Sequence, residues 1–215
     1  MESVQVLDMA ATATEHKLIL GNCLDKLKDI PDNSVDLVFA DPPYNMSKKK
    51  GLGWKYSKHI TMQESWDMFS KDEFFEFNTK WIKECFRVLK HGGSLWISGS
   101  FHNIYMIGFI LQNVTDFKIN NSIVWFKPNA QPNISCRMFT ESTEHLIWAG
   151  KNGDGKKWKF NYQWTKDHIS DTINPQGKQT RNVWVIPLTP KNEKWAGAHP
   201  TQKPFELLKR VILSC

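Results

Sequence analysis

Apolar positions along the chain change period several times, and each change marks an element. Val35 to Ala40 is a short unbroken apolar run of strand length, and it stops at Asp41-Pro42-Pro43-Tyr44. Phe74, Phe77, Trp81, Cys85 and Val88 recur at helical spacing, behind a capping box at Ser70-Lys71-Asp72-Glu73. A helix is expected from Ser70 to Lys90, ended by His91-Gly92-Gly93. Ser94 to Ser100 reads as a strand, Asn103 to Val114 as a helix, and Ser122 to Phe126 and His145 to Ala149 as two more strands. Val183 to Ile186 reads as a short strand and Phe205 to Leu213 as a final helix. Near the start, Lys17 to Leu24 reads as a strand entering a turn, followed by one or two helical turns to Ile30. The β-α-β-α-β order predicts an α/β fold with a parallel sheet and right-handed crossovers.

Composition narrows this picture. The 215 residues suffice for one domain with a sizeable core, and 10 Trp and 13 Phe argue against disorder. No apolar run approaches the ~20 residues of a membrane span. Residues 1–15 carry acids and no basic cluster, unlike a signal peptide. Cys23, Cys85, Cys136 and Cys215 form no C-x-x-C pair, so neither a metal site nor a disulfide framework is expected; reduced thiols in the cytoplasm are.

The net charge of +6 is uneven. Residues 1–150 hold 16 Lys/Arg against 17 Asp/Glu, whereas residues 151–197 hold 9 against 4. In the second segment Trp158, Phe160, Tyr162 and Trp164 interleave with Lys157, Lys159 and Lys166, and Arg181 follows. That pattern suits nucleic acid, or simply a solvated basic face. Lys48, Lys49 and Lys50 begin a glycine-bearing loop that either meets phosphates or is an insertion without contacts. The stretch from Lys127 to Arg137 is a Pro/Asn-rich loop that either lines a base pocket or is structural.

The chemistry gathers at the Asp41 turn. Two prolines remove backbone donors and stop the strand, leaving a carboxylate and an aromatic ring at its carboxyl end, where open α/β sheets bind ligands. Acceptors on both N–H bonds of an aromatic amine draw its nitrogen toward sp³ and free its lone pair. An aromatic face holds the flat ring once it is extruded from a helix. A strand-ending turn with a surface tyrosine is the plainer alternative. A second motif, His199-Pro200-Thr201-Gln202-Lys203-Pro204, lies 155 residues beyond Tyr44, and its lysine and helix start suit a carboxylate.

In these two motifs and their order the chain resembles the β-class amino-methyltransferases of DNA, and the DpnA-type adenine-N6 group within them. The likeness extends over Trp96 to Ser100 with His102 to Tyr105, Pro132 to Arg137, and Lys194 to Gly197. It implies a Rossmann-like S-adenosylmethionine-dependent sheet and methyl transfer to adenine N6, with GATC as the expected site and GANTC as a related one. By the same resemblance Asp41, Pro42, Pro43 and Tyr44 are catalytic, and Asn22, Cys23, Asp41, His199, Thr201 and Lys203 approach the cofactor. Where the family usually has an acid this chain has Asn22. Lys48, Lys49, Lys50, Arg137, Lys157, Lys159 and Arg181 are the candidate DNA contacts. The Trp66-Asp67 pair also recurs in the family, with Trp66 expected to pack.

The resemblance divides the chain into a catalytic half (1–150), a target-recognition region (151–197) and the start of a cofactor half (198–215). The family's Asp-Pro-Phe-x-Gly-x-Gly loop follows that last helix, and this sequence stops at Cys215 before it. The expectation is a fold incomplete in its cofactor half, with the remainder in a further segment or a second polypeptide, and a homodimer as one assembly. Methylation of cytosine N4 and a non-catalytic DNA-binding remnant are the competing readings.

Overall fold

A computed structural model describes residues 14–47, 65–133, 136–170, 177–197, 199 and 201–215. Five strands form one sheet: β1 (Val35–Ala40), β2 (Leu89–Gly99), β3 (Lys118–Phe126), β4 (Thr143–Gly150) and β5 (Val183–Val185). Their spatial order is β1-β2-β4-β3-β5. Strands β1 and β2 pair in parallel, as do β3 and β5, whereas β4 runs antiparallel between β2 and β3. The all-parallel expectation is corrected here. Residues 127–142 join β3 to β4, with no crossover helix among the described residues of the kind parallel neighbours require, and β4 turns back into the gap beside β2.

Helices cover both faces. On one lie α1 (Cys23–Lys26), α2 (Lys71–Val88) and α3 (Ile104–Asn113), packed through Trp81, Ile82, Cys85, Ile107 and Ile110 on Leu95, Ile97 and Ile147. On the other lie α4 (Tyr162–His168) and α5 (Phe205–Ser214), where Leu207 and Val211 join Trp96, Trp148 and Trp184. The Trp96 and Trp148 rings stack 5.2 Å apart. The period-2 alternation of β2 sends Leu95 and Ile97 to the first core and Trp96 to the second, so a strand buried on both faces reads as continuously apolar.

Helix α2 starts with the expected capping box at Ser70 and Glu73. Such a cap contributes about 1 kcal/mol, and each buried large side chain about 1.5–3 kcal/mol. Packing therefore holds this helix more than its cap does. It ends at Val88, earlier than its glycines suggest. His91-Gly92-Gly93 lies within β2, in a bulge where the register against β1 jumps from Val35↔Leu89 to Leu37↔Ser94. Gly92 adopts φ +87, and a Cβ there would sit 2.9 Å from the Lys157 carbonyl oxygen.

Residues 17–20 do not form the expected strand. Leu18 and Leu20 are fully exposed, and no neighbouring strand among the described residues offers them a ladder. Asn22 instead caps α1, its Oδ1 accepting the Leu24 N–H at 2.9 Å. Among the described residues no helix is long and apolar enough to cross a membrane, and no group of three His, Cys, Asp or Glu is placed to hold a metal.

Candidate active site

The parallel strands β1, β2, β3 and β5 end at one pole of the sheet, and the antiparallel β4 begins there. Asp41 leaves β1, Ser98 nears the end of β2, Lys127 follows β3, and Glu144 opens β4. These side chains meet. Ser98 Oγ donates to Asp41 Oδ1 at 2.6 Å, as the expected parallel pairing of β1 and β2 requires. The Lys203 ammonium lies 2.9 Å from both Asp41 carboxylate oxygens and 3.9 Å from Glu144. Lys127 Nζ donates to Glu144 at 3.2 Å. The Tyr44 hydroxyl is 3.2 Å from Asp41 Oδ1 and 3.2 Å from Glu144 Oε2, and Lys203 sits over its ring at 5.3 Å. Two carboxylates are thus balanced by two ammonium groups around one phenol. Burial, then the nearby Glu144 and Asp41 charges, push the Tyr44 phenol far up, so it remains protonated.

The loop after Tyr44 is held by Asp67, which the sequence marks only as half of the Trp66-Asp67 pair. Asp67 is 1% exposed, and its carboxylate accepts the N–H groups of Asn45 (2.6 Å), Met46 and Ser47 (both 2.9 Å). Asn45 returns the contact, its Oδ1 accepting the Phe69 N–H at 3.0 Å, and it adopts φ +57, which asparagine tolerates better than most residues. Trp66, expected to pack, is half exposed and lines the cavity beside Tyr44.

The second motif reaches this pole because the chain before it is tied down. Gln202 Nε2 donates to the Glu193 carbonyl oxygen at 2.9 Å, and the Phe205 N–H at the start of α5 donates to the Glu193 carboxylate at 2.8 Å. His199 Nδ1 lies 3.2 Å from Thr201 Oγ1. Lys203 points at Asp41, and the Phe205 N–H at the helix start is already taken by the Glu193 carboxylate. Pro200, between His199 and Thr201, lies outside the described residues.

Asp41, Pro42 and Pro43 form a wall between two cavities. One, of about 250 Å³, is bounded by Tyr44, Trp66, Trp125, Glu144, Leu188 and Lys203. The other, of about 310 Å³, is bounded by Cys23, Leu27, Val38, Phe77, Trp81 and Cys85. Burial pushes the Cys23 thiol up, and the Cys85 thiol up to about 12, so neither thiol is charged at neutral pH and Asp41 is, among the described residues, the one charged residue lining this second cavity.

The candidate DNA contacts scatter. Arg137 is exposed on the loop that rises from the catalytic pole between β3 and β4. Lys157 and Lys159 line a different cavity with Lys90, His91 and Asp36, at the pole where β1 and β2 start. Arg181 borders a hollow over Trp148 and Trp184, on the α4/α5 face. Lys48, Lys49 and Lys50 lie outside the described residues. None of Lys157, Lys159 and Arg181 lines the Asp41 cavity.

Comparison with known proteins accords with this geometry. Type II methyltransferase M2.DpnII of Streptococcus pneumoniae is 45% identical over 204 residues, covering 93% of this chain and 73% of its own. Type II methyltransferase M2.MboI of Moraxella bovis is 42% identical over 196 residues, covering 90% and 68%. Among solved structures, the PvuII DNA methyltransferase (cytosine-N4-specific) superposes with a TM-score of 0.64 at 18% identity, over 90% of this chain and 67% of that one. The M1.HpyAVI–SAM complex superposes with a TM-score of 0.56 at 21% identity, over 90% and 74%. Residues 35–215 match the family described as DNA methylase, and the chain belongs to that family.

Proposed function

We propose that this protein transfers a methyl group from S-adenosylmethionine to the N6 amine of an adenine extruded from DNA, within GATC. The observation that carries this reading is the convergence of Asp41, Tyr44 and Lys203 on one cavity, from two motifs 155 residues apart in the sequence. Asp41 and the Pro42 carbonyl accept the two N–H bonds of the amine, and the Tyr44 ring stacks on the base. Asp41 is held for that task by Ser98 and Lys203. Placing the amine accounts for most of the rate, since no group of the chain has to form a covalent intermediate.

The cavity beyond the Asp41-Pro42-Pro43 wall fits the purine of the cofactor: apolar apart from the Asp41 edge of that wall, aromatic on one side at Phe77 and Trp81, and next to Asn22 and Cys23. When bound, the cofactor supplies an activated sulfonium methyl. His199 and Thr201 stand at the Lys203 end of the wall and are the remaining candidates to touch it. Lys203 serves the base side in this reading, because its ammonium is engaged by Asp41 and Glu144.

GATC is supported by the kinship with M2.DpnII and M2.MboI. Residues 151–197 carry the target recognition together with the loop at Arg137. A further segment or a second polypeptide covers the open edge of β1, which pairs with β2 alone among the described strands. Exposed Tyr105 and Phe109 on α3 are the surface for a homodimer, and the cytoplasm is the expected compartment.

The test is a methylation assay with the whole protein, S-adenosylmethionine and unmodified duplex DNA, followed by mass spectrometry of the nucleosides. N6-methyladenine confined to GATC is expected. N4-methylcytosine in its place, or unchanged activity in Asp41→Ala, would overturn the reading.

A further inference from the structure

Glu144 is absent from both motifs, yet it is more enclosed than the Asp41 it neighbours, with its side chain 18% exposed against 33% for Asp41. Its partners are Lys127 and the Tyr44 hydroxyl, with Lys203 further off at 3.9 Å. A hydroxyl has one proton, and Tyr44 stands 3.2 Å from each of two carboxylates, so it donates to only one at a time.

The acceptor count on Asp41 decides what that choice means. A carboxylate offers about four lone-pair positions. Ser98 takes one on Oδ1 and Lys203 one on Oδ2, the ammonium lying as close to Oδ1. A Tyr44 proton on Oδ1 fills that oxygen, the one that faces the phenol. An incoming amine held against the Tyr44 ring then meets an occupied Oδ1. With the Tyr44 proton on Glu144, one position on Oδ1 stays open.

We propose that Glu144 is a positioning residue that draws the Tyr44 proton to itself and so keeps an acceptor on Asp41 open for the target amine. This inference rests on the adenine-methylating reading of the site and deepens it. Lys127 belongs to the same device: its ammonium donates to Glu144 Oε1 and leaves Oε2, the oxygen facing Tyr44, to compete with Asp41 for the phenol proton.

The experiment is a pair of substitutions assayed in the whole enzyme. Glu144→Gln keeps the volume but leaves an uncharged acceptor, so the Tyr44 proton turns to Asp41. A fall in kcat of about tenfold is expected, with KM for DNA within about twofold. Adding Tyr44→Phe removes the misplaced proton. The double variant should then recover to within about threefold of Tyr44→Phe alone, a non-additivity that a brace does not produce. A double variant as slow as Glu144→Gln, or slower, overturns the inference, as does a Glu144→Gln enzyme with wild-type kcat.

A second readout needs no turnover. A duplex with 2-aminopurine at the target position lacks the 6-amine and so does not call on Asp41. Its fluorescence on binding should match between wild type and Glu144→Gln, and a dimmer variant shows that Glu144 merely holds the Tyr44 ring. If the wild-type enzyme makes no N6-methyladenine, the functional reading itself fails. If it does and the rescue is missing, only the role of Glu144 fails.

Discussion

Lys203 and Asp41 are 162 residues apart in the sequence and 2.9 Å apart in the structure. The ammonium is only 8% exposed, so water screens the pair weakly, and removing one partner strands the other. Lys203→Met should lower kcat/KM for GATC duplex by about 100-fold, which is about 2.7 kcal/mol of transition-state stabilisation. Steady-state kinetics on the purified variant checks this, and a loss below threefold would reduce the pair to a structural contact.

Asp67 predicts a coupled loss of stability and rate. Its carboxylate answers three backbone N–H groups of the loop that follows Tyr44. A buried donor left unpaired costs about 1–3 kcal/mol. Asp67→Ala should therefore lower the unfolding free energy by about 3 kcal/mol and blur the position of Tyr44. Denaturant unfolding and methylation rates should fall together. A variant that loses stability but keeps full activity shows that the loop sets itself without the clamp.

Lys151 offers a test of the fold away from the site. It is 5% exposed, and its ammonium donates to Phe86 O at 2.6 Å, Leu89 O at 2.8 Å and Asn33 Oδ1 at 2.8 Å, closing the last turn of α2. Lys151→Met strips these carbonyls of a charged donor, with an expected loss of about 3 kcal/mol. Thermal unfolding should shift down by about 6–12 °C, without change in which nucleoside is methylated. An unshifted midpoint would mean that α2 ends without this cap.

The buried Cys85 sets a pH dependence. Burial moves its thiol from an ordinary value of 9.0 up to about 12. Folded Cys85 stays protonated where the unfolded chain ionises, so its contribution is intact below pH 9.0 and falls away as pH rises toward about 12. Unfolding free energy should decline across that window and less so in Cys85→Ala. At pH 8 alkylation should reach exposed Cys136 first, with Cys85 labelled only after unfolding. Rapid labelling of Cys85 in the folded protein would contradict its burial.

The placement of the basic residues separates their effects on DNA binding. Arg137 stands on the loop of the catalytic pole, while Lys157 and Lys159 line a cavity at the other pole. Arg137→Ala should reduce the slope of log K against log salt by about 1, and Lys157→Ala with Lys159→Ala should leave it within error. Salt titrations of duplex affinity decide it, and the reverse ranking would move the DNA path to the far pole.

Much of this was readable in advance where short-range signals speak for themselves. The Asp41 turn, the Ser70 capping box and the helical stripe of α2 depend on neighbours within a few residues. The order of strands does not. Nothing local in Thr143 to Gly150 says that β4 inserts antiparallel beside β2, and without that placement Glu144 is one acid among many. Lys127, named only as one end of a loop, and Asp67, named only beside Trp66, receive no role from the sequence for the same reason: a single charged residue carries no periodicity, and its meaning comes from what the fold sets opposite. Residues 17–20 misled in the other direction, since an apolar run shows only that a strand is affordable, not that a partner lies alongside.

The reversed direction of β4 has a further consequence. The loop over residues 127–142 leaves and re-enters the sheet on adjacent strands, so its two feet are pinned close together like the ends of a handle. Lys127 and Glu144 sit at those feet, paired at 3.2 Å, whereas the described residues between them belong to neither core. The length or sequence of that span can therefore change without disturbing the packing of either sheet face, while the pole at which its feet stand keeps its form.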